Sequence, residues 1–257
     1  MGKVIAVSNQ KGGVGKSTTV VNLAAALGIK GKKTLIIDFD PQGNTTTSYG
    51  IKKKSIRNTV YEVLMGECNV YEAVVATEFR GVSVVPTTQN LSGAAVQLMS
   101  EKNRAKKLQN ALIDARSYYD FILIDCPPTL DMLTINALVA ADSVIIPLQC
   151  EFLSLEGLVE LNRTIDRVKE VWNPNLKIEG ILFTMYVERY KVTGQVVKEV
   201  KKYFSKKIFD TVIPRNVALS EAPSFGQPVI YYDKKSKGAK AYESLAKEII
   251  KKSTLKS

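Results

Sequence analysis

Histidine is absent from the 257 residues. That absence removes histidine general bases, Ser-His and Cys-His nucleophiles, and histidine metal sites. Cysteine is scarce: Cys68, Cys126 and Cys150 are widely spaced, with no C-x-x-C pair. Such spacing argues against a disulfide framework or a zinc site and suggests a reducing compartment. No run of 18 or more apolar residues occurs, so no membrane span is expected. The chain opens directly on a strand-like run, so no signal peptide is expected either. Internal repeats, low-complexity segments and linker-like breaks in composition are also missing.

What is present is an ample apolar fraction, 45%, and a net charge of +11. The first supports a globular core; the second suggests a polyanionic partner, either nucleic acid or an acidic membrane surface. Largely apolar runs at Val4–Val7, Lys33–Asp38, Val82–Pro86, Phe121–Asp125, Ser143–Pro147 and Lys177–Met185 read as strands. Helical stretches fall between them, including Ser154–Val171, an amphipathic helix expected over Asn103–Ala115, and a closing helix over Tyr242–Ile250. Val70–Val74 reads as a short helix. This alternation predicts one α/β domain over residues 1–257, with a doubly wound, mostly parallel sheet and helices on both faces.

Between the first strand and the first helix stands Lys11-Gly12-Gly13-Val14-Gly15-Lys16-Ser17-Thr18. Glycines without a Cβ let backbone N–H groups close on a polyphosphate, and the following helix adds its positive end. Lys16 suits the β- and γ-phosphates, and the Ser17 hydroxyl suits Mg²⁺. The usual pattern has glycine where Gln10 stands, and Lys11 is an extra lysine inside the loop. Lys11 need not serve its own nucleotide; it has the reach for one in a partner subunit.

The second strand runs into Asp38-Phe39-Asp40-Pro41-Gln42-Gly43-Asn44. Strand carboxyl ends beside a phosphate loop are where open α/β sheets place ligands. Asp40 is a candidate to orient the attacking water, and Asp38 to act through the metal's water shell. The fourth strand closes on Asp125, followed by Cys126-Pro127-Pro128. An apolar strand ending in aspartate is the second acidic element of P-loop enzymes, holding Mg²⁺ with the loop hydroxyl. Cys126 has no base to activate it and reads as packing. Lys52-Lys53-Lys54 reads as a solvated loop.

Charge concentrates late. Between Arg189 and Lys240, twelve basic residues stand against four acidic ones, giving +8 of the +11. Lys198, Lys201 and Lys202 share one face of a helix whose other side carries Val196, Val200 and Phe204.

The stretches KGGVGKST at 11–18, DFDPQGN at 38–44, ILIDCPP at 122–128, INALVAADSVIIPLQCEFLSLEGL at 135–158 and VIPRNVALSEAPSFGQPVI at 212–230 together resemble the ParA/Soj/MinD family of deviant-Walker-A ATPases, and within it the chromosomal ParA (Soj) branch. Ser17 replaces the common threonine but keeps the hydroxyl. The resemblance implies slow, partner-stimulated hydrolysis of ATP with Mg²⁺, in an ATP-sandwich homodimer. Lys11 then contacts the partner's nucleotide, and Gly12 lies where a side chain would obstruct the dimer. Gly13, Val14, Gly15, Lys16, Ser17 and Thr18 cradle the phosphates, Asp40 serves hydrolysis, and Ser17 and Asp125 serve the metal. Pro214 and Asn216 line the adenine pocket. Arg189 matches a basic residue used on non-specific double-stranded DNA. Lys198, Lys201, Lys202, Arg215 and Lys237 are further candidates for that surface. The implied partner is a ParB-type centromere-binding protein, and the implied location is the cytoplasm, on the nucleoid.

The alternative is a MinD-type membrane-associated positioning ATPase, which needs a lipid-inserting helix at the C-terminus. The tail Ile249–Ser257 carries few bulky apolar residues. An iron–sulfur enzyme of the nitrogenase iron-protein type needs paired thiolates at a dimer face, and Cys126 follows the metal aspartate too closely for that task. A small-molecule kinase needs an acceptor pocket, and none is readable.

Overall fold

The structure, a computed structural model, describes residues 1–152 and 154–254. The chain runs β1 (Lys3–Val7), α1 (Lys16–Ile29), β2 (Thr34–Asp38), α2 (Asn44–Ser48), α3 (Val60–Met65), β3 (Val75–Ala76), β4 (Val82–Val85), α4 (Leu91–Gln97), α5 (Lys107–Ala111), α6 (Ala115–Tyr118), β5 (Phe121–Asp125) and α7 (Met132–Ala140). It continues with β6 (Ser143–Gln149), α8 (Ser154–Val171), β7 (Lys177–Thr184), α9 (Lys191–Phe204), α10 (Val217–Glu221), α11 (Val229–Tyr232) and α12 (Lys237–Thr254).

The strands form one seven-stranded sheet in the order β3-β4-β2-β5-β1-β6-β7. Neighbours pair in parallel except β3, which pairs antiparallel with β4 at the edge. β2 and β5 are buried along their whole length and β1 from Val4 onward, as apolar runs require when helices cover both faces. One face packs α1, α11 and α12 through residues such as Val20, Leu23, Tyr242 and Leu245. The other packs α3, α5, α7 and α8 through Leu64, Leu108, Leu138 and Leu161.

Three local expectations change. Val70–Ala73 is a 3₁₀ turn that feeds the short strand β3; two residues carry too little pattern to announce a strand. The helix expected over Asn103–Ala115 is broken into a 3₁₀ turn, α5 and α6. Asn136 on α7 accounts for the break, since it accepts from Leu108 N–H at 3.3 Å and donates to Arg104 C=O at 2.8 Å. Leu108, Leu112 and Ala115 still bury their apolar face. Finally, β6 continues through Pro147 to Gln149. Proline is tolerated because β1 pairing extends only to Ile145, leaving Pro147 paired with Leu182 alone.

The carboxyl ends of β1, β2 and β5 lie side by side, with Val7, Asp38 and Asp125 in register. That edge receives the glycine loop, the Asp40 turn and the segment after Asp125.

Candidate functional site

The glycine loop leaves β1 and is tied to the sheet on both sides. Asn9 donates through Nδ2 to Pro147 C=O at 2.7 Å, and its Oδ1 accepts from Lys11 N–H at 2.9 Å. Gln149 donates to Gly13 C=O at 3.2 Å, and the Thr184 hydroxyl donates to Val14 C=O at 2.8 Å. Gly13 and Gly15 hold φ values of 73° and 89°, a left-handed conformation that costs other residues energy and glycine none. The expected cradle residues Gly12, Gly13, Gly15, Lys16, Ser17 and Thr18 line a cavity of about 440 Å³ together with Asp40, Gln42 and Asn44. Val14 is fully buried beneath it.

Lys16 is buried, and its ammonium donates to Lys11 C=O at 3.1 Å. Burial lowers its pKa, and the nearby charges of Asp125 and Asp40 pull it back up. The Lys11 ammonium does something different: it lies 2.6 Å from Glu151 Oε2, on the half-exposed rim.

Asp38 and Asp125 are both fully buried. Burial is the main cause that pushes Asp125 up, to about 6, while the nearby hydroxyls of Thr45 and Ser17 oppose the rise. Burial, with the charge of Asp125 beside it, pushes Asp38 up to about 8 against two bonds from Thr46. Among the described residues, each aspartate keeps one buried oxygen, Oδ1, without a hydrogen-bond partner. An orphaned carboxylate oxygen beside the Ser17 hydroxyl fits a hard divalent cation with oxygen ligands such as Mg²⁺.

Asp40 stands past the end of β2, so strand alternation does not place it. Instead it closes a turn, accepting from Gln42 N–H at 3.0 Å, and faces the cavity. Cys126 is fully buried, and burial pushes its thiol well above the usual range, in keeping with a packing role.

Beside Gly15 and Thr18 opens a second cavity of about 550 Å³, lined mostly by apolar groups including Met185, Pro214, Val217, Leu219 and Tyr242. Asn216 lines it as well, with a buried Oδ1 that has no partner. Arg215, which is exposed, also lies on this cavity. Lys237 begins α12, where the next residue, Gly238, abuts Leu219 and Asn216. Arg189 is exposed on the β7–α9 connection, its guanidinium 5.7 Å from the Tyr190 ring centroid. On α9, Lys198, Lys201 and Lys202 are exposed while Val196 and Val200 are buried. Lys202 pairs with Glu199 at 2.6 Å.

Several residues at the site carry no signal in a single sequence. Glu151 meets Lys11 across 140 positions. Thr184 and Gln149 are read only once β6 and β7 are placed around the loop. Thr45 and Thr46 follow DFDPQGN directly; their hydroxyls next to an acidic strand end are the one cue that was available.

Among the described residues, no helix is long and apolar enough to cross a membrane. The end of the C-terminal tail, residues 255–257, lies outside the described residues.

Comparison with known proteins agrees with this arrangement. A family model described as an AAA domain matches residues 2–178. The chromosome partitioning protein ParA of Myxococcus xanthus is 52% identical over 257 residues, covering 100% of this chain and 91% of its own. The sporulation initiation inhibitor protein Soj of Bacillus subtilis is 50% identical, covering 97% and 98%. Among solved structures, cobyrinic acid a,c-diamide synthase from Mycobacterium smegmatis superposes with a TM-score of 0.86 at 37% identity, covering 97% of this chain and 94% of its own with ADP and magnesium bound. It was also solved with an ATP analogue and magnesium. With about half of its residues shared with ParA and Soj proteins over more than nine-tenths of each chain, the chain belongs to the ParA/Soj family.

Proposed function

We propose that this chain is an ATP-driven dimerisation switch that grips DNA without sequence preference and moves it with a ParB-type partner. The observation that carries the reading is the position of Lys11. Lys16 points into the phosphate cavity, whereas Lys11 turns its ammonium to the rim and to Glu151. A loop lysine on the rim is placed for a phosphate presented by a second copy.

In this reading Gly12–Thr18 bind the triphosphate through backbone N–H groups, and Lys16 meets the β- and γ-phosphates. Pro214 and Asn216 hold the base in the apolar cavity. Ser17 and Asp125 would hold Mg²⁺, which would supply positive charge to the bound phosphates. Asp40 orients the attacking water. Each Lys11 reaches the nucleotide of the other subunit, so closure requires ATP in both. Inverting a 1:99 equilibrium takes about 5.5 kcal/mol, a difference that charge-assisted contacts from two lysines and two metal ions are suited to supply.

Closure aligns two basic surfaces built from Arg189, Lys198, Lys201 and Lys202, with Arg215 and Lys237 as further candidates. Lysine dominates the basic residues, which suits phosphate contacts more than base reading. Hydrolysis removes the γ-phosphate contacts and releases both subunit and DNA. The protein then cycles on and off the nucleoid in the cytoplasm.

The test is the ATPase rate of the purified chain alone, with DNA, with the ParB-like protein, and with both. A slow basal rate that rises synergistically with both supports the proposal. A rate indifferent to either would remove it.

A further inference from the structure

The turn that follows Asp40 is fastened to both acidic strand ends, and the fastening is made by two consecutive threonines. The Thr45 hydroxyl donates to Asp125 Oδ2 at 2.7 Å. Thr46 donates to Asp38 Oδ2 through its backbone N–H at 2.7 Å and through its hydroxyl at 2.5 Å. The Thr46 hydroxyl in turn accepts from Thr87 N–H at 3.1 Å. All four side chains involved are fully buried. Asp38 and Asp125 are register partners on adjacent strands. Successive side chains on a helical turn diverge by about 100°, so anchoring two neighbours fixes both the position and the rotation of α2.

The same turn carries the Asp40 loop. Gly43, the residue before α2, is left-handed at φ 66° and donates its N–H to Asp40 C=O at 2.8 Å. Asp40 Oδ1 accepts from Gln42 N–H. Asp40, Gly43 and α2 therefore form one hydrogen-bonded unit whose contact with the Asp125 carboxylate is the Thr45 hydroxyl. With Oδ2 engaged by Thr45, Asp125 keeps Oδ1 as its uncommitted oxygen.

We infer that Thr45 is a positioning residue for the Mg²⁺ site: its hydroxyl sets the orientation of the Asp125 carboxylate and couples metal occupancy to the Asp40 loop. The inference rests on the reading of Ser17 and Asp125 as the metal pair. Partners that orient a ligating carboxylate typically change metal affinity about 10- to 100-fold when removed.

The test is a MgCl₂ titration of the full-length chain with a fluorescent ATP analogue, comparing wild type, Thr45→Val and Thr45→Ser. Valine keeps the shape and removes the donor; serine keeps the donor and removes the methyl. The valine variant should bind the analogue normally in EDTA, yet need about 10- to 100-fold more Mg²⁺ for half-saturation. The serine variant should follow wild type. Unchanged Mg²⁺ dependence in the valine variant would overturn the inference, as would an equal shift in both variants, which would mark Thr45 as packing alone. If the valine variant does not fold, Thr45→Ala replaces it with the same outcomes. A wild-type chain whose analogue binding ignores Mg²⁺ altogether would instead overturn the metal assignment of Ser17 and Asp125.

Discussion

Replacing Gly12 by valine separates the two roles of the glycine loop. Gly12 is exposed, its φ lies outside the left-handed region, and a Cβ built there meets no atom within 4 Å. The monomer therefore has room for the side chain, and its stability should change by no more than about 0.5 kcal/mol. The backbone curvature that faces the phosphates resides in Gly13 and Gly15 and is untouched, so ATP affinity should persist. In a two-fold dimer with apposed loops, one substitution places two valines at the interface. Forcing a side chain into a close-packed contact costs about 1–3 kcal/mol. Two such costs, about 2–6 kcal/mol, weaken dimerisation by about 30-fold to about 10⁴-fold. Sedimentation velocity with ATP, across a protein concentration series, reads this directly. A valine variant that dimerises at wild-type concentrations would refute the reasoning. So would loss of ATP binding, because the side chain would then obstruct the cradle that Gly12 lines and not the dimer contact.

Other outcomes follow from the same geometry. Asp40→Ala should bind ATP and remain a dimer on DNA, with phosphate release slowed by about 10²-fold or more; hydrolysis at the wild-type rate would end the water-positioning role. If six phosphates are neutralised, log K for DNA should fall with log salt at a slope of about −5. Arg189→Glu should weaken binding on every sequence tested and make that slope shallower by about 1, as filter binding across a salt series would show. Burial raises the Asp125 and Asp38 carboxyls in the folded chain to about 6 and about 8. The folded metal-free protein then holds protons that the unfolded chain releases near pH 4. Their contribution to its stability is fully present below that pH and declines as pH rises to about 8. A cation on Asp125 needs the ionised form, so the Tm gained on adding Mg²⁺ and ADP should grow between pH 5.5 and 7.5, roughly across the raised Asp125 value. A Tm gain that stays flat over that range would contradict the assignment.

The parts of this molecule written in local pattern were readable beforehand. Gly12, Gly13 and Gly15 between an apolar strand and a helix specify the tight strand-to-helix loop, and the apolar runs ending in Asp38 and Asp125 specify buried parallel strands. What escaped was set by contacts between distant segments. The Asn136 side chain, not the periodicity around Leu108, decides where α5 begins. The Glu151 carboxylate meets Lys11 only after β6 is laid beside β1. That Arg215, an exposed residue, borders the apolar cavity beside Pro214 and Asn216 is seen only once the segment after β7 is placed. The role of the threonines at 45 and 46 is seen only with the carboxylates they hold in view.

The central claim is that ATP makes a dimer and the dimer makes the DNA surface. It is tested most directly in an Asp40→Ala background, where hydrolysis is blocked, by measuring molecular mass and DNA binding together as ATP is raised, with and without Lys11→Ala. The account predicts that mass doubles and DNA binding appears at the same ATP concentration, and that Lys11→Ala abolishes both while ATP still binds. DNA binding by an ATP-loaded monomer, or dimers that form without Lys11, would contradict it.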